Sequence, residues 1–211
     1  VCGDVGFGKT EVAIRAAYKA AMDGRQVAVL VPTTLLAEQH RLTFTARLRN
    51  TPVVVESLSR LRSARDSKTV LSRLADGTVE IGIGTHRRLS KDIAFKNLGL
   101  LVVDEEHRFG VAHKERLREL AATVHTLTLS ATPIPRTLHM ALSGIRELSI
   151  IATPPRDRLA VRTFVARSSR ELIRSAILRE IQRGGQVFFV RNRVDGIYEF
   201  AADVQSMVPE A

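Results

Sequence analysis

The sequence holds one cysteine, Cys2, so an internal disulfide is impossible. A secretion signal is missing as well: there is no charged start followed by an apolar run and a small-residue cleavage site. Both absences point to the cytoplasm as the expected compartment. Long apolar runs are lacking too, since the longest, VAVLV at 27–31 and LGLLVV at 98–103, fall far short of the roughly 20 residues that span a bilayer. A helical membrane protein is thereby excluded. No internal repeat or low-complexity tract is present. Acidic side chains are in short supply, with 22 Asp and Glu against 32 Lys and Arg, a formal net charge of +10. Such an excess favours a polyanionic partner, because each phosphate neutralised releases condensed counterions; a basic but merely soluble surface would show the same charge. Core-forming residues are plentiful. Apolar residues make up 45% of the chain and charged ones 26%, which excludes disorder as the default. At 211 residues the chain is long enough for one full domain and part of another.

Short β-branched runs alternate with stretches of helical spacing. The runs are QVAVLV (26–31), VVVE (53–56), VEIGIG (79–84), LGLLVV (98–103), HTLTLS (125–130) and ELSIIA (147–152). Several are apolar without alternation, as a parallel strand covered on both faces requires. The expected fold class is α/β, a doubly wound parallel sheet with helices on both faces. Crossover helices are predicted near 9–22, ending at Gly24, and near 34–48, 66–75, 113–121 and 135–143. At Thr153-Pro154-Pro155-Arg156-Asp157-Arg158 the two prolines forbid helix and the charges favour solvent, which places a domain boundary there. The expected domains are 1–153 and 154–211. Beyond the boundary VRTFVA (161–166), a helix near 169–183, QVFFV (186–190) and a helix near 195–207 restart a βαβ pattern. Residues 156–193 carry ten arginines, no lysine and three acids. That stretch suits a DNA path, a partner surface or a solvated helix equally well.

Gly3-Asp4-Val5-Gly6-Phe7-Gly8-Lys9-Thr10 satisfies G-x-x-x-x-G-K-[ST] in full. The pattern serves phosphate binding because the glycines let successive N–H groups point inward and the following helix adds its positive end. Lys9 then reaches the β/γ-phosphates and the Thr10 hydroxyl ligates magnesium. The helix that should follow is present in EVAIRAAYKAAMDG, and the strand that should precede is represented only by Val1-Cys2, which reads as an element cut short. An incidental glycine turn would account for Gly6 but not for the whole spacing.

Asp104-Glu105-Glu106-His107 follows LGLLVV directly, so its carboxylates emerge at the C-terminal end of a buried parallel strand. Open α/β sheets bind their ligands at that edge. Asp104 suits a magnesium ligand and Glu105 a residue that polarises the attacking water. Alone, such a tetrapeptide is a common solvated turn. Paired with the phosphate loop, it reads as ATP and Mg2+ chemistry, with Lys9, Asp104 and Glu105 as the catalytic set.

GDVGFGKT, PTTLLAEQH, GTH, DEEH and SAT, in that order, resemble motifs I, Ia, Ib, II and III of superfamily 2 helicases and translocases, and the match runs almost continuously through the first 153 residues. Longer strings, VPTTLLAEQH, DEEHRFGVAHKERL, ATPIPRTLHMALSGIRELSIIATPP and RGGQVFFVRN, are similar to the bacterial transcription-repair coupling factor (Mfd) family of double-stranded DNA translocases. The fork-reversing RecG family is the nearest competitor, in which DEQH is expected where this chain has DEEH.

The resemblance implies a RecA-like lobe followed by the start of a second one, and an ATPase that moves along double-stranded DNA to displace stalled RNA polymerase and promote excision repair. It implies that Glu106, His107, Ser130 and Thr132 couple the nucleotide site to DNA movement, although Ser130 and Thr132 would serve equally as helix caps. By the same resemblance Thr33, Thr34, Thr85 and His86 contact DNA phosphates, with Arg108 and Arg136 adding charge to the track. Small hydroxyls suit that job because they read no base edge. RNA polymerase and UvrA are expected to dock through regions outside this chain. The second lobe is expected to supply arginines that stabilise γ-phosphate charge, so this stretch alone is expected to hydrolyse ATP weakly. A non-catalytic nucleotide-sensing or DNA-binding scaffold is the alternative from a different functional class.

Overall fold

The computed structural model describes residues 1–58, 64–85, 93–105, 123–131, 147–156 and 161–210. They divide into two compact units, Val1–Arg158 and Leu159–Ala211. In the first, the chain runs β1 (Cys2–Gly3), α1 (Lys9–Met22), β2 (Gln26–Val31), α2 (Thr34–Leu48), β3 (Val55–Leu58), α3 (Ala64–Asp76), β4 (Ile81–Thr85), β5 (Leu98–Asp104), β6 (His125–Leu129) and β7 (Ile150–Ile151). The helices expected near 113–121 and 135–143 lie outside the described residues.

Five strands form a parallel sheet in the order β3-β4-β2-β5-β6, and β1 pairs in parallel with β7. A parallel bridge between Cys2 and Ser130 brings the two together. Every strand therefore points the same way, and all C-terminal ends open on one rim. The sheet is apolar on both faces because helices cover both. Val27, Val29, Val31, Leu100 and Val102 pack with Ala13, Ile14 and Ala17 of α1 and with Ala37, Phe44 and Leu48 of α2. The intervening Ala28, Leu30, Leu101 and Val103 pack with Val70 and Leu74 of α3 on the opposite face. This two-sided burial is why the strands read as continuous hydrophobic runs. It confirms the α/β doubly wound class.

Element edges differ from the sequence reading where pairing decides. The strand expected at 53–56 is shifted to 55–58, because the Val54 N–H donates to the Glu80 carboxylate at 2.8 Å and the ladder with β4 begins at Val55 opposite Ile81. The buried Gln26 donates from Nε2 to the carbonyls of Leu74 and Val79, at 2.9 and 2.8 Å, and its Oε1 accepts the Asn97 N–H at 3.0 Å. A polar side chain at a core position is tolerated because all of these bonds are made. Among the described residues no helix is long and apolar enough to cross a membrane.

The second unit contains α4 (Arg170–Gln182) and α5 (Ile197–Met207), at the positions expected for its helices. Ser169 caps α4, its hydroxyl accepting the Leu172 N–H. Arg170 pairs with Asp203 across the two helices, Arg174 donates to the Met207 carbonyl, Arg183 pairs with Glu180, and Arg191 lies over the Phe200 ring. Part of the arginine-rich stretch thus serves the unit's own packing. The strands expected at 161–166 and 186–190 are not formed: neither segment joins a ladder among the described residues. A strand exists only by pairing its backbone groups, and none of the described residues from 161 to 210 supplies the partner.

Candidate nucleotide-binding site

The phosphate loop rises from β1 at the open rim. Gly6 and Gly8 adopt φ of 80° and 88°, left-handed conformations that cost a side-chain-bearing residue about 1–2 kcal/mol. A Cβ at Gly8 would meet nothing within 4 Å, so its need for glycine is conformational and not steric. Gly3 is different. A Cβ there would stand 3.1 Å from the Ile151 Cβ, so a larger residue would fit only if β7 gave way by a few tenths of an ångström. Within the loop the Asp4 carboxylate accepts the Val5 N–H at 2.7 Å, and the Phe7 N–H donates to the Asp4 carbonyl at 3.2 Å. Gly8 is the N-cap of α1, and no side chain caps that helix end. Its first N–H groups and the helix dipole are thereby directed at the loop, an arrangement made for an anion. Lys9 donates from Nζ to the carbonyls of Gly3 and Asp4, at 2.7 and 3.1 Å, which keeps its ammonium over the loop. Thr10 is half-buried in the first turn of α1.

Register carries the acidic end of β5 to the same place. Asp104 pairs with Leu129, and the residue just after β6, Ser130, bridges to Cys2. Ser130 donates its N–H to the Val1 carbonyl at 3.1 Å and accepts the Gly3 N–H at 3.2 Å. The acidic end and the strand carrying the loop are therefore two strand spacings apart, about 10 Å. They also share a face: alternation sets Asp104 on the side of Leu100 and Val102, where α1 packs. Lys9 and Asp104 stand at one rim and on one side of the sheet. Glu105 has φ of 54°, the one non-glycine residue with positive φ among those described, and its N–H donates to the Leu129 carbonyl at 3.0 Å. Backbone strain of this kind concentrates at functional positions.

A polar contact absent from the sequence reading completes the rim. His40, on α2 and 7% exposed, donates from Nε2 to Asp104 Oδ2 at 2.9 Å. A weak signal was available, since His40 shares the buried stripe of Ala37, Phe44 and Leu48, and a polar residue at such a position needs a partner. Nothing in the order of residues named Asp104 as that partner, 64 positions away.

The chemistry fits a phosphate better than a self-contained metal centre. No group of three or more His, Cys, Asp or Glu among the described residues could hold a metal ion. Magnesium is usually bound through one or two protein oxygens together with substrate phosphates, and Thr10 and Asp104 are suited to that share. The other expected residues fall as follows. Thr33 and Thr34 follow β2, and Thr85 ends the adjacent β4, with Val31 opposite Thr85, so the three threonines stand together on the rim. The Thr33 hydroxyl accepts the Leu36 N–H at 3.2 Å and caps α2. His86, Glu106, His107, Arg108, Thr132 and Arg136 lie outside the described residues.

Outside the loop, Glu11 joins α1 to α2. It pairs with Arg47 and with Arg15, each at 2.9 Å, and these two guanidinium groups, Arg47 foremost, hold its carboxyl down to about 2.

A model of the DEAD/DEAH box helicase family matches residues 1–141. Over all 211 residues the chain is 59% identical to the transcription-repair-coupling factor of Escherichia coli (strain K12) and 54% identical to that of Bacillus subtilis (strain 168), and it spans 18% of the length of each. A solved structure of RecG bound to a three-way DNA junction has a TM-score of 0.78 and 32% identity, over 99% of this chain and 28% of that one. Because the family match runs through both the phosphate loop and the acidic strand end, the chain belongs to the DEAD/DEAH box helicase family.

Proposed function

We propose that this chain is the ATP-binding lobe of a double-stranded DNA translocase that displaces stalled RNA polymerase at lesions and couples transcription to excision repair. The observation that carries the reading is the convergence of Lys9 and Asp104 on one rim and one face of the sheet. The loop amides, Gly3 to Thr10, cradle the phosphates of ATP, and Lys9 neutralises charge on the β/γ-phosphates. Thr10 and Asp104 would hold Mg2+, which when bound offsets charge developing on the phosphate oxygens. Glu105 orients the water that attacks the γ-phosphate in line and accepts its proton. Ser130, whose backbone ties β6 to β1, together with Glu106, His107 and Thr132, couples the nucleotide site to DNA movement. Thr33, Thr34, Thr85 and His86, with Arg108 and Arg136, contact the phosphates of one strand. The intact protein would engage RNA polymerase and UvrA through other regions, and residues 154–211 would begin the second lobe.

Glu105→Gln in the intact protein tests the assignment. It keeps shape and hydrogen bonding but removes the basic oxygen, so DNA-stimulated hydrolysis is expected to fall by about 10²-fold or more while ATP binding persists. Unchanged turnover would remove Glu105 from the chemistry. A fork-reversing helicase is the second reading, favoured by the likeness to RecG. ATPase stimulation by branched DNA well beyond that by plain duplex would support it instead.

A further inference from the structure

We propose that His40 is a positioning residue for the magnesium-binding carboxylate of Asp104, a role that rests on the nucleotide-site reading above. The stripe Ala37, His40, Phe44 and Leu48 is the face by which α2 packs on the sheet, and three of its four members are apolar. A leucine would fill the second position without a polar group to satisfy. The histidine there is almost fully buried and spends its Nε2–H on Asp104 Oδ2 at 2.9 Å. Since an ionised carboxylate can only accept, this bond selects the tautomer with the proton on Nε2. Asp104 is itself largely covered, with 14% of its side chain exposed, so few alternative donors compete for the oxygen that His40 holds.

The imidazole is fixed from behind. Phe44, one turn along α2 and fully buried, meets it edge-on with ring centroids 6.1 Å apart and planes at 79°. The helix start is fixed as well, by the Thr33 cap. Asp104 ends β5, where the chain leaves the ladder and turns through the positive φ of Glu105. A carboxylate at a strand end is free to rotate unless something outside the strand holds it, and His40 is that holder. One oxygen is committed to the imidazole, which leaves the other for the metal. Such outer partners orient a ligand before the ion arrives, and their loss typically weakens metal binding by about 10- to 100-fold.

The competing role is purely structural: the pair would tie α2 to β5 with no consequence for the metal. Mg2+-dependent binding of a fluorescent ATP analogue to the intact protein separates the two, read as the Mg2+ concentration at half-saturation, alongside binding in EDTA and the thermal midpoint without nucleotide. His40→Leu fills the space but lacks the donor, and is expected to raise the half-saturating Mg2+ about tenfold while binding in EDTA stays within twofold. His40→Gln, whose amide reaches as far as Nε2, is expected to restore the wild-type requirement. If His40→Leu does not fold, His40→Asn, too short to reach Asp104, is read in its place with the same expectation. A donor-less variant that folds with an unchanged Mg2+ requirement overturns the proposal, as does failure of glutamine to rescue it. Asp104→Asn is the control for the underlying site. If that variant leaves the Mg2+ requirement unmoved, the nucleotide-site reading itself fails; if it shifts while His40→Leu does not, only the role of His40 is lost.

Discussion

The two units of the chain use similar residues to opposite effect. In residues 1–158 the runs of the central strands β2, β4 and β5 are buried between helices, and Val27, Val31, Ile81, Ile83 and Val102 have no exposure at all. In residues 159–211 the runs VRTFVA and QVFFV are also mostly apolar, yet Val165 is 97% exposed and Phe188 90%. The difference lies chiefly in neighbours. β2 is flanked by β4 and β5 and covered by helices on both faces, so its backbone and side chains are satisfied together. The later runs find neither a ladder nor a covering face among the described residues. Strand propensity therefore measures fitness for a pleated, half-buried surface, and it becomes a strand only where that surface exists.

Truncating one phenylalanine in each unit gives the sharpest test of this contrast. Phe44→Ala removes a fully buried ring from between α2 and the sheet and is expected to cost about 3–5 kcal/mol in denaturant unfolding. Phe188→Ala removes an exposed ring and is expected to fall within about 0.5 kcal/mol of wild type. Comparable losses would mean that Phe188 is covered in the intact protein, and the contrast would then describe only the isolated stretch. Gly8→Ala probes the loop with a smaller effect. The new methyl meets no atom, but φ of 88° strains it by about 1–2 kcal/mol. ATP affinity is expected to fall while the rest of the sheet keeps its hydrogen-exchange protection, which amide exchange with and without nucleotide would show.

The smallest effect concerns Glu11. Its carboxyl is held down to about 2 by Arg47 first and Arg15 second, against an ordinary value of 4.5. A depressed acid contributes stability that is fully present above the unfolded value and disappears as pH falls through the folded one. The window is therefore about pH 4.5 down to 2, and solvent screening of this exposed pair keeps the contribution small. Glu11→Gln should flatten the acid limb of the stability curve in that window and leave ATP binding at neutral pH intact. An unaltered acid limb would show that the α1–α2 link contributes nothing.

Most local patterns in the first unit were readable to within a residue or two, although the strand expected at 147–152 pairs only at Ile150–Ile151. α1 and α2 begin and end at the expected residues, since Ala-rich helical spacing, a threonine cap and a following glycine act over short range. β3 was misplaced by two residues because its register depends on Glu80, more than twenty positions away. The phosphate loop was legible because its chemistry demands a fixed spacing within eight residues. His40 was not, because its meaning is a hydrogen bond spanning 64 positions.

By itself the sequence determined the fold class, the phosphate loop and the acidic strand end, all of which follow from periodicity and spacing within one element or one turn. Tertiary structure alone decided that the bridge from Ser130 to Cys2 sets the loop two strands from Asp104, that His40 holds that carboxylate, and that the apolar runs after Arg158 form no strand. Each of these depends on which backbone lies alongside which, and a linear order of residues does not contain that information until the sheet has assembled.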